Sequence, residues 1–185
     1  MIRKAESAIP CVVVNRAFPG CDFVATDQVT AVREEGVRLL QQYPDALAFF
    51  LRSTTVEEEY IMEQRRRGFV DACRTQNCFC HVLDMPERFA EKVDFLEQSL
   101  PVDGACPLFV VADIWKHAGA LIQWVRQNDF EWGRDIVYRD FDNTEPDVVW
   151  GIEVSSFVQD FRALTRRALD VLTQLPRAEK SSRSP

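Results

Sequence analysis

Short apolar runs alternate with longer amphipathic stretches along almost the whole chain, and this alternation limits the possible folds more than any other feature. The runs CVVVN (11–15), ALAFFL (46–51), CFCHVL (78–83), PLFVVAD (107–113) and DIVYRDFD (135–142) read as strands. Helices are predicted from about Val29 to Gln42, Val56 to Arg74, Pro86 to Leu100 and Ile114 to Gln127. VSSFV (154–158) is a further short strand, and a last helix runs from Asp160 to Leu175. Strands separated by helices of this length form βαβ units, and so a parallel sheet with helices on both faces. Continuous runs such as LAFF and LFVV suit strands buried on both sides. The fold class is α/β.

With 185 residues, 46% of them hydrophobic, the chain can bury the core of one domain, or of one and a part. A formal net charge of -7 argues against broad nucleic-acid binding, which needs clustered Lys and Arg. Arg177, Lys180 and Arg183 fall in PRAEKSSRSP, which reads as a disordered polar tail over 176–185. No apolar run is long enough to span a membrane, and the opening MIRKAESAIPCVVVN has too short an apolar core for a signal peptide, so no membrane partner and a cytoplasmic location are expected. The six cysteines fit that expectation as free thiols, with Cys11, Cys73 and Cys106 in apolar surroundings.

In an open parallel sheet, ligands bind outside the carboxyl ends of the strands. Asn15, Asp113 and Asp142 each end a predicted strand and could converge on one crevice. Asx residues also favour strand ends and helix caps for purely local reasons. The helix EQRRRGFVDAC (63–73) adds a cation. At about 100° per residue, Ile61, Arg65, Phe69 and Ala72 share one face, while Arg67 points to solvent and Arg66 lies on the flank. A charge on an apolar face needs a partner. Either Arg65 forms an internal salt bridge, or it reaches a cleft and donates to a polar ligand that also donates to Asp113 and Asp142. A guanidinium fork facing carboxylates and an amide suits a polyhydroxylated molecule.

Other signals are weaker. NCFCH brings Cys78, Cys80 and His81 together, but a strand would put His81 on the opposite face, and the spacing does not fit a zinc site. No metal is expected. His117 or His81 would have to serve as the base of a nucleophilic triad, yet there is no Gly-x-Ser-x-Gly elbow. There is no Gly-x-Gly-x-x-Gly loop either, so neither catalysis nor a cofactor is expected. Trp115 follows the Asp113 strand exit and could stack on a sugar ring.

The order and spacing of several segments resemble the effector-binding core of the lac repressor/galactose repressor family of bacterial transcription regulators. IPCVVVNR is similar to the family's strand ending in Asp or Asn followed by Arg. VATDQVTAVREEGVRLL is similar to the segment entering the first helix of the C-terminal subdomain, and RRRGFVDAC to the Arg-x-x-Gly-Phe helix, whose effector-contacting arginine falls at Arg65. LFVVADIWKHAGAL is similar to the strand and helix usually written Ala-Asn-Asp, and DIVYRDFDN to the DISVVGFDD pattern, which places Asp142 at an effector-contacting aspartate. VSSFVQDFRAL is similar to the crossover strand and last helix, with Phe161 where an aromatic can line the pocket. Two departures stand out. Asp113-Ile114 replaces the usual Asn-Asp, giving a group that only accepts, and Tyr43-Pro44 replaces a Gly-His turn.

The resemblance implies a periplasmic-binding-protein-like domain that binds a sugar or related metabolite between two subdomains, with Arg65, Asp142, Asn15 and Asp113 holding its hydroxyls. It also implies a chain truncated at its N-terminus. Residues 1–25 would be a remnant of the N-terminal subdomain, 26–150 the C-terminal effector-binding subdomain, and 151–175 the strand and helix returning to the first. DNA would be bound only through a missing helix-turn-helix head. Phe161, Leu164, Ala168, Val171, Leu172 and Leu175 share a face of the last helix, which would be covered by self-association as a homodimer. Two other readings remain open: a periplasmic-type solute-binding protein of the same architecture, and a small α/β enzyme using Asp113 or Asp142 as acid or base.

Overall fold

The computed structural model describes residues 11–15, 20–54, 59–142, 151–152 and 154–175. The polar tail at 176–185 lies outside the described residues. The chain divides into two compact units, one holding residues up to Thr26 and from Gln159 onward, the other Asp27–Val158.

The larger unit runs α1 (Gln28–Gln42), β3 (Leu47–Ser53), α2 (Glu59–Thr75), β4 (Cys80–Met85), α3 (Phe89–Ser99), β5 (Leu108–Ala112), a 3-10 turn (Trp115–His117), α4 (Ala118–Gln127), β6 (Ile136–Phe141) and β7 (Ser156–Phe157). Its five strands are parallel and lie in the order β4-β3-β5-β6-β7. The chain order therefore reverses between β3 and β5, and the crevice where an open α/β sheet receives ligands lies beyond their carboxyl ends.

Strand alternation divides the core into two layers. Ala48 and Phe50 of β3, Phe109 and Val111 of β5, and Val137 and Phe141 of β6 pack with Val32, Leu39 and Leu40 of α1 and Phe69, Ala72 and Cys73 of α2. Phe49, Leu51, Leu108, Val110, Ile136 and Tyr138 face the other way, onto Val93 and Leu96 of α3 and Leu121, Ile122, Trp124 and Val125 of α4. Both faces of the three central strands are covered, as the unbroken apolar runs of β3 and β5 require.

Two glycines let α1 and α2 cross closely. A Cβ on Gly36 would lie 2.7 Å from that of Ala72, and one on Gly68 would lie 2.5 Å from the Val29 carbonyl oxygen. Gly68 is the glycine of the Arg-x-x-Gly-Phe segment, so the same close crossing seats Arg65, one turn earlier, against α1.

Several boundaries differ from expectation. The helix predicted from Ile114 opens as a 3-10 turn, and the one predicted from Pro86 starts at Phe89. Residues 55–58 of the predicted second helix lie outside the described residues. The strand at 156–157 pairs with β6 and falls within the compact unit Asp27–Val158.

In the smaller unit, β1 (Val12–Val14) pairs in parallel with β2 (Asp22–Val24), and α5 (Phe161–Gln174) follows. β2 was not anticipated from the sequence. Asp160 caps α5 by accepting from Ala163 N at 2.8 Å. Leu164 and Ala168 of α5 are buried, whereas Phe161 and Leu169 are exposed. No helix among the described residues is long and apolar enough to cross a membrane.

Candidate functional site

Four elements meet at Arg65. The side chain leaves α2 from its apolar face and is only 3% exposed. Its Nη2 donates to Asp142 Oδ2 at 2.6 Å, beyond the end of β6. Nη1 donates to the carbonyl oxygen of Asp113 at 2.6 Å, just past β5, and Nε donates to Gln28 Oε1 at 3.4 Å, at the start of α1. The guanidinium carbon lies 4.0 Å from the centre of the Phe141 ring, stacked on the aromatic face. The internal salt bridge allowed by the helical spacing is thus present, and it stands at the carboxyl ends of the sheet.

Asp142 is the accessible partner, with its side chain 34% exposed. Its backbone takes φ 62°, a left-handed conformation that Asp tolerates better than most residues. Its N–H donates to Phe157 O at 2.9 Å. The strand exit is therefore fixed from both ends, by Arg65 at the side chain and by β7 at the backbone.

Asp113 takes a different place from the one expected. Its carboxylate is fully buried and turned inward. Oδ2 accepts from Ser53 N at 2.5 Å and Oδ1 from Ser53 Oγ at 2.9 Å, closing the switch point between β3 and β5. Arg65 meets the carbonyl of Asp113 and not its side chain.

His117 completes this buried cluster. Its Nε2 is 3.0 Å from Ser53 Oγ and 3.3 Å from Asp113 Oδ1. Burial holds the imidazole below its ordinary basicity, against the pull of Asp113. Serine, histidine and aspartate thus converge, but a nucleophilic relay needs one ring nitrogen for the serine and the other for the aspartate. Here Nε2 serves both, and Nδ1 is buried without a hydrogen-bond partner. The geometry is that of a brace between two strand ends.

Asp140 was missed in the sequence. Lying two residues before Asp142 in a strand covered on both sides, it is fully buried, with Oδ2 accepting from Tyr138 OH at 3.3 Å and Oδ1 unpartnered. Burial is the main force pushing its carboxyl up to about 6; the charge of Asp142 adds to this, while Ser156, Tyr138 and Arg65 oppose it. The available signal was an aspartate set between Ile136, Val137, Tyr138 and Phe141 in a strand covered on both faces.

Trp115, in the 3-10 turn after Asp113, is half exposed. Asn15 and Phe161 belong to the smaller unit. Asn15 has φ 63° and donates its N–H to Val24 O at 2.7 Å, and Phe161 opens α5. His81 stacks on Phe49 at 5.0 Å between centroids, on the face of β4 opposite Cys80. Among the described residues no group of three or more His, Cys, Asp or Glu side chains is arranged to hold a metal ion.

The fold is that of the effector-binding domain of LacI-family transcription regulators. The probable maltose operon transcriptional repressor of Staphylococcus aureus superposes with a TM-score of 0.73 at 13% identity, over 90% of this chain and 61% of that one. A LacI-family regulator from Enterococcus faecium with bound ribose gives 0.66 at 17% identity, over 89% and 61%. One from Lactobacillus casei with bound glucose gives 0.66 at 18%, over 87% and 62%. The chain thus spans about three-fifths of the length of these structures. No protein-family model matches the sequence, and no curated protein sequence matches it.

Proposed function

We propose that this chain is the effector-sensing domain of a cytoplasmic bacterial transcription regulator and that it has no catalytic role. The effector would be a neutral sugar or similar polyol, taken at the carboxyl ends of β5 and β6, and its occupancy would be coupled in the whole regulator to DNA binding through a helix-turn-helix head. One observation carries this reading: beyond the carboxyl ends of β5 and β6, an enclosed arginine holds a carboxylate that is itself partly exposed. Such a carboxylate accepts from vicinal hydroxyls, and the fixed guanidinium keeps its orientation. The fold is shared with regulators that hold ribose and glucose.

In the larger unit the proposed ligand contacts are Asp142 and Trp115, with Arg65 and Asp113 setting their positions. The charge balance favours a neutral ligand. Asp142 already offsets Arg65, and two further carboxylates, Asp113 and Asp140, lie behind it. The test is a thermal melt of the chain against neutral pentoses, hexoses and their phosphates. A ligand at a hundred times its Kd adds about 2.7 kcal/mol, a rise of roughly 5–10 °C for a chain of this size. A rise with a neutral sugar that vanishes in Asp142→Asn supports the reading. A rise only with phosphorylated sugars, or one unchanged in Asp142→Asn, refutes this placement of the ligand.

A further inference from the structure

Away from the strand ends, three cysteines gather where α2 passes over the start of β4. Cys73, near the end of α2, is 1% exposed. The turn that follows folds back, with Cys78 N donating to Cys73 O at 2.9 Å, and Cys80 opens the edge strand β4. All three pack into the same apolar layer. The sensing role uses none of them. We propose that Cys73 and Cys80 are a reversible thiol oxidation site, in which a hydroperoxide drives formation of a disulfide between α2 and β4.

The chemistry follows from the unequal settings of the two thiols. Cys80 is partly exposed, and its thiolate is favoured by a hydrogen bond from Cys73 and then by the charge of Arg66, against its own burial. Cys73 is held as the neutral thiol by its interaction with Cys80 and by burial. The Cys80 thiolate attacks the peroxide O–O bond, becoming a sulfenic acid and releasing hydroxide or alkoxide. Cys73 then attacks that sulfur, and its proton leaves with the displaced hydroxyl as water. The protein loses two electrons and the peroxide gains them. Cys78, which burial keeps protonated, is a bystander.

The experiment is peptide mapping of the full chain after hydrogen peroxide treatment at neutral pH, with thiols counted before and after dithiothreitol. Trypsin separates Cys73, in residues 68–74, from Cys78 and Cys80, in residues 75–88. The expected result is a dithiothreitol-sensitive link between those two peptides within one chain, kept in Cys78→Ser and absent in Cys80→Ser. Dimedone should trap the sulfenic acid on Cys80 only. A link that survives in Cys80→Ser overturns the assignment, as does wild-type protein in which exposed Cys11 oxidises while the two peptides stay separate. The wild-type map is decisive even if a variant fails to fold.

Discussion

Arg65 and Asp142 form an ion pair of unequal partners: the guanidinium is 3% exposed and the carboxylate 34%, with 2.6 Å between Nη2 and Oδ2. The inequality assigns the roles. A cation so enclosed, with donors directed at Asp142, at the Asp113 carbonyl and at Gln28, has its geometry fixed before any ligand arrives. The carboxylate is positioned from within and presented outward.

Arg65→Ala should destabilise the fold by about 3 kcal/mol, since it leaves the Asp113 carbonyl and Gln28 without this buried donor and removes the ion pair with Asp142. Arg65→Lys should recover only part of this loss, because one ammonium cannot span three acceptors in different directions. Urea denaturation of both variants measures the difference; a lysine variant as stable as the parent would show that the fork geometry is immaterial.

Gly68→Ala should cost about 2 kcal/mol or more, because its Cβ would fall 2.5 Å from the Val29 carbonyl oxygen and push α1 from α2. A glycine chosen only for flexibility would give the opposite result, since alanine favours a helix. Melting temperature distinguishes the two.

Asp113→Asn should be tolerated within about 1 kcal/mol, as an amide oxygen can still accept from Ser53 N while its NH2 faces Ser53 Oγ and His117. Asp113→Ala leaves those buried groups unsatisfied and should cost about 2 kcal/mol. If instead the charge itself is required, the two variants will unfold at similar denaturant concentrations.

Asp140 and His117 give stability opposite dependences on pH. The Asp140 carboxyl titrates higher in the folded protein, about 6 against an ordinary 3.8, so its contribution is complete below 3.8 and is lost as pH rises to 6. The difference is on the order of 3 kcal/mol. Burial lowers the His117 value, so its contribution is present above the ordinary 6.5 and is lost as pH falls through the depressed value. Asp140→Asn removes the first effect alone. The melting temperature of this variant minus that of the parent should therefore grow more positive from pH 4 to pH 7, and a flat difference would mean Asp140 is ionised in the folded protein throughout.

The sequence carried the sheet because strands covered on both faces are apolar at successive positions, and LAFF and LFVV have that mark. β2 carries no such mark: Asp22 and Phe23 are exposed, and the strand exists only through its pairing with β1. At the site, helical period alone put Arg65 on the inner face, and the strand end placed Asp142. The inward turn of Asp113 was not legible, because its partners Ser53 and His117 come from a strand sixty residues earlier and from a turn that a continuous helix would have replaced. Asp140 was hidden by its neighbour: of two aspartates in FD and RD, the one at the strand exit drew the functional reading.

The backbone of Asp142 is hydrogen-bonded to Phe157, and one residue later, after Val158, the chain passes from the larger compact unit to the smaller. The residue proposed to hold the effector and the segment by which the chain leaves its own unit are therefore adjacent rungs of one ladder.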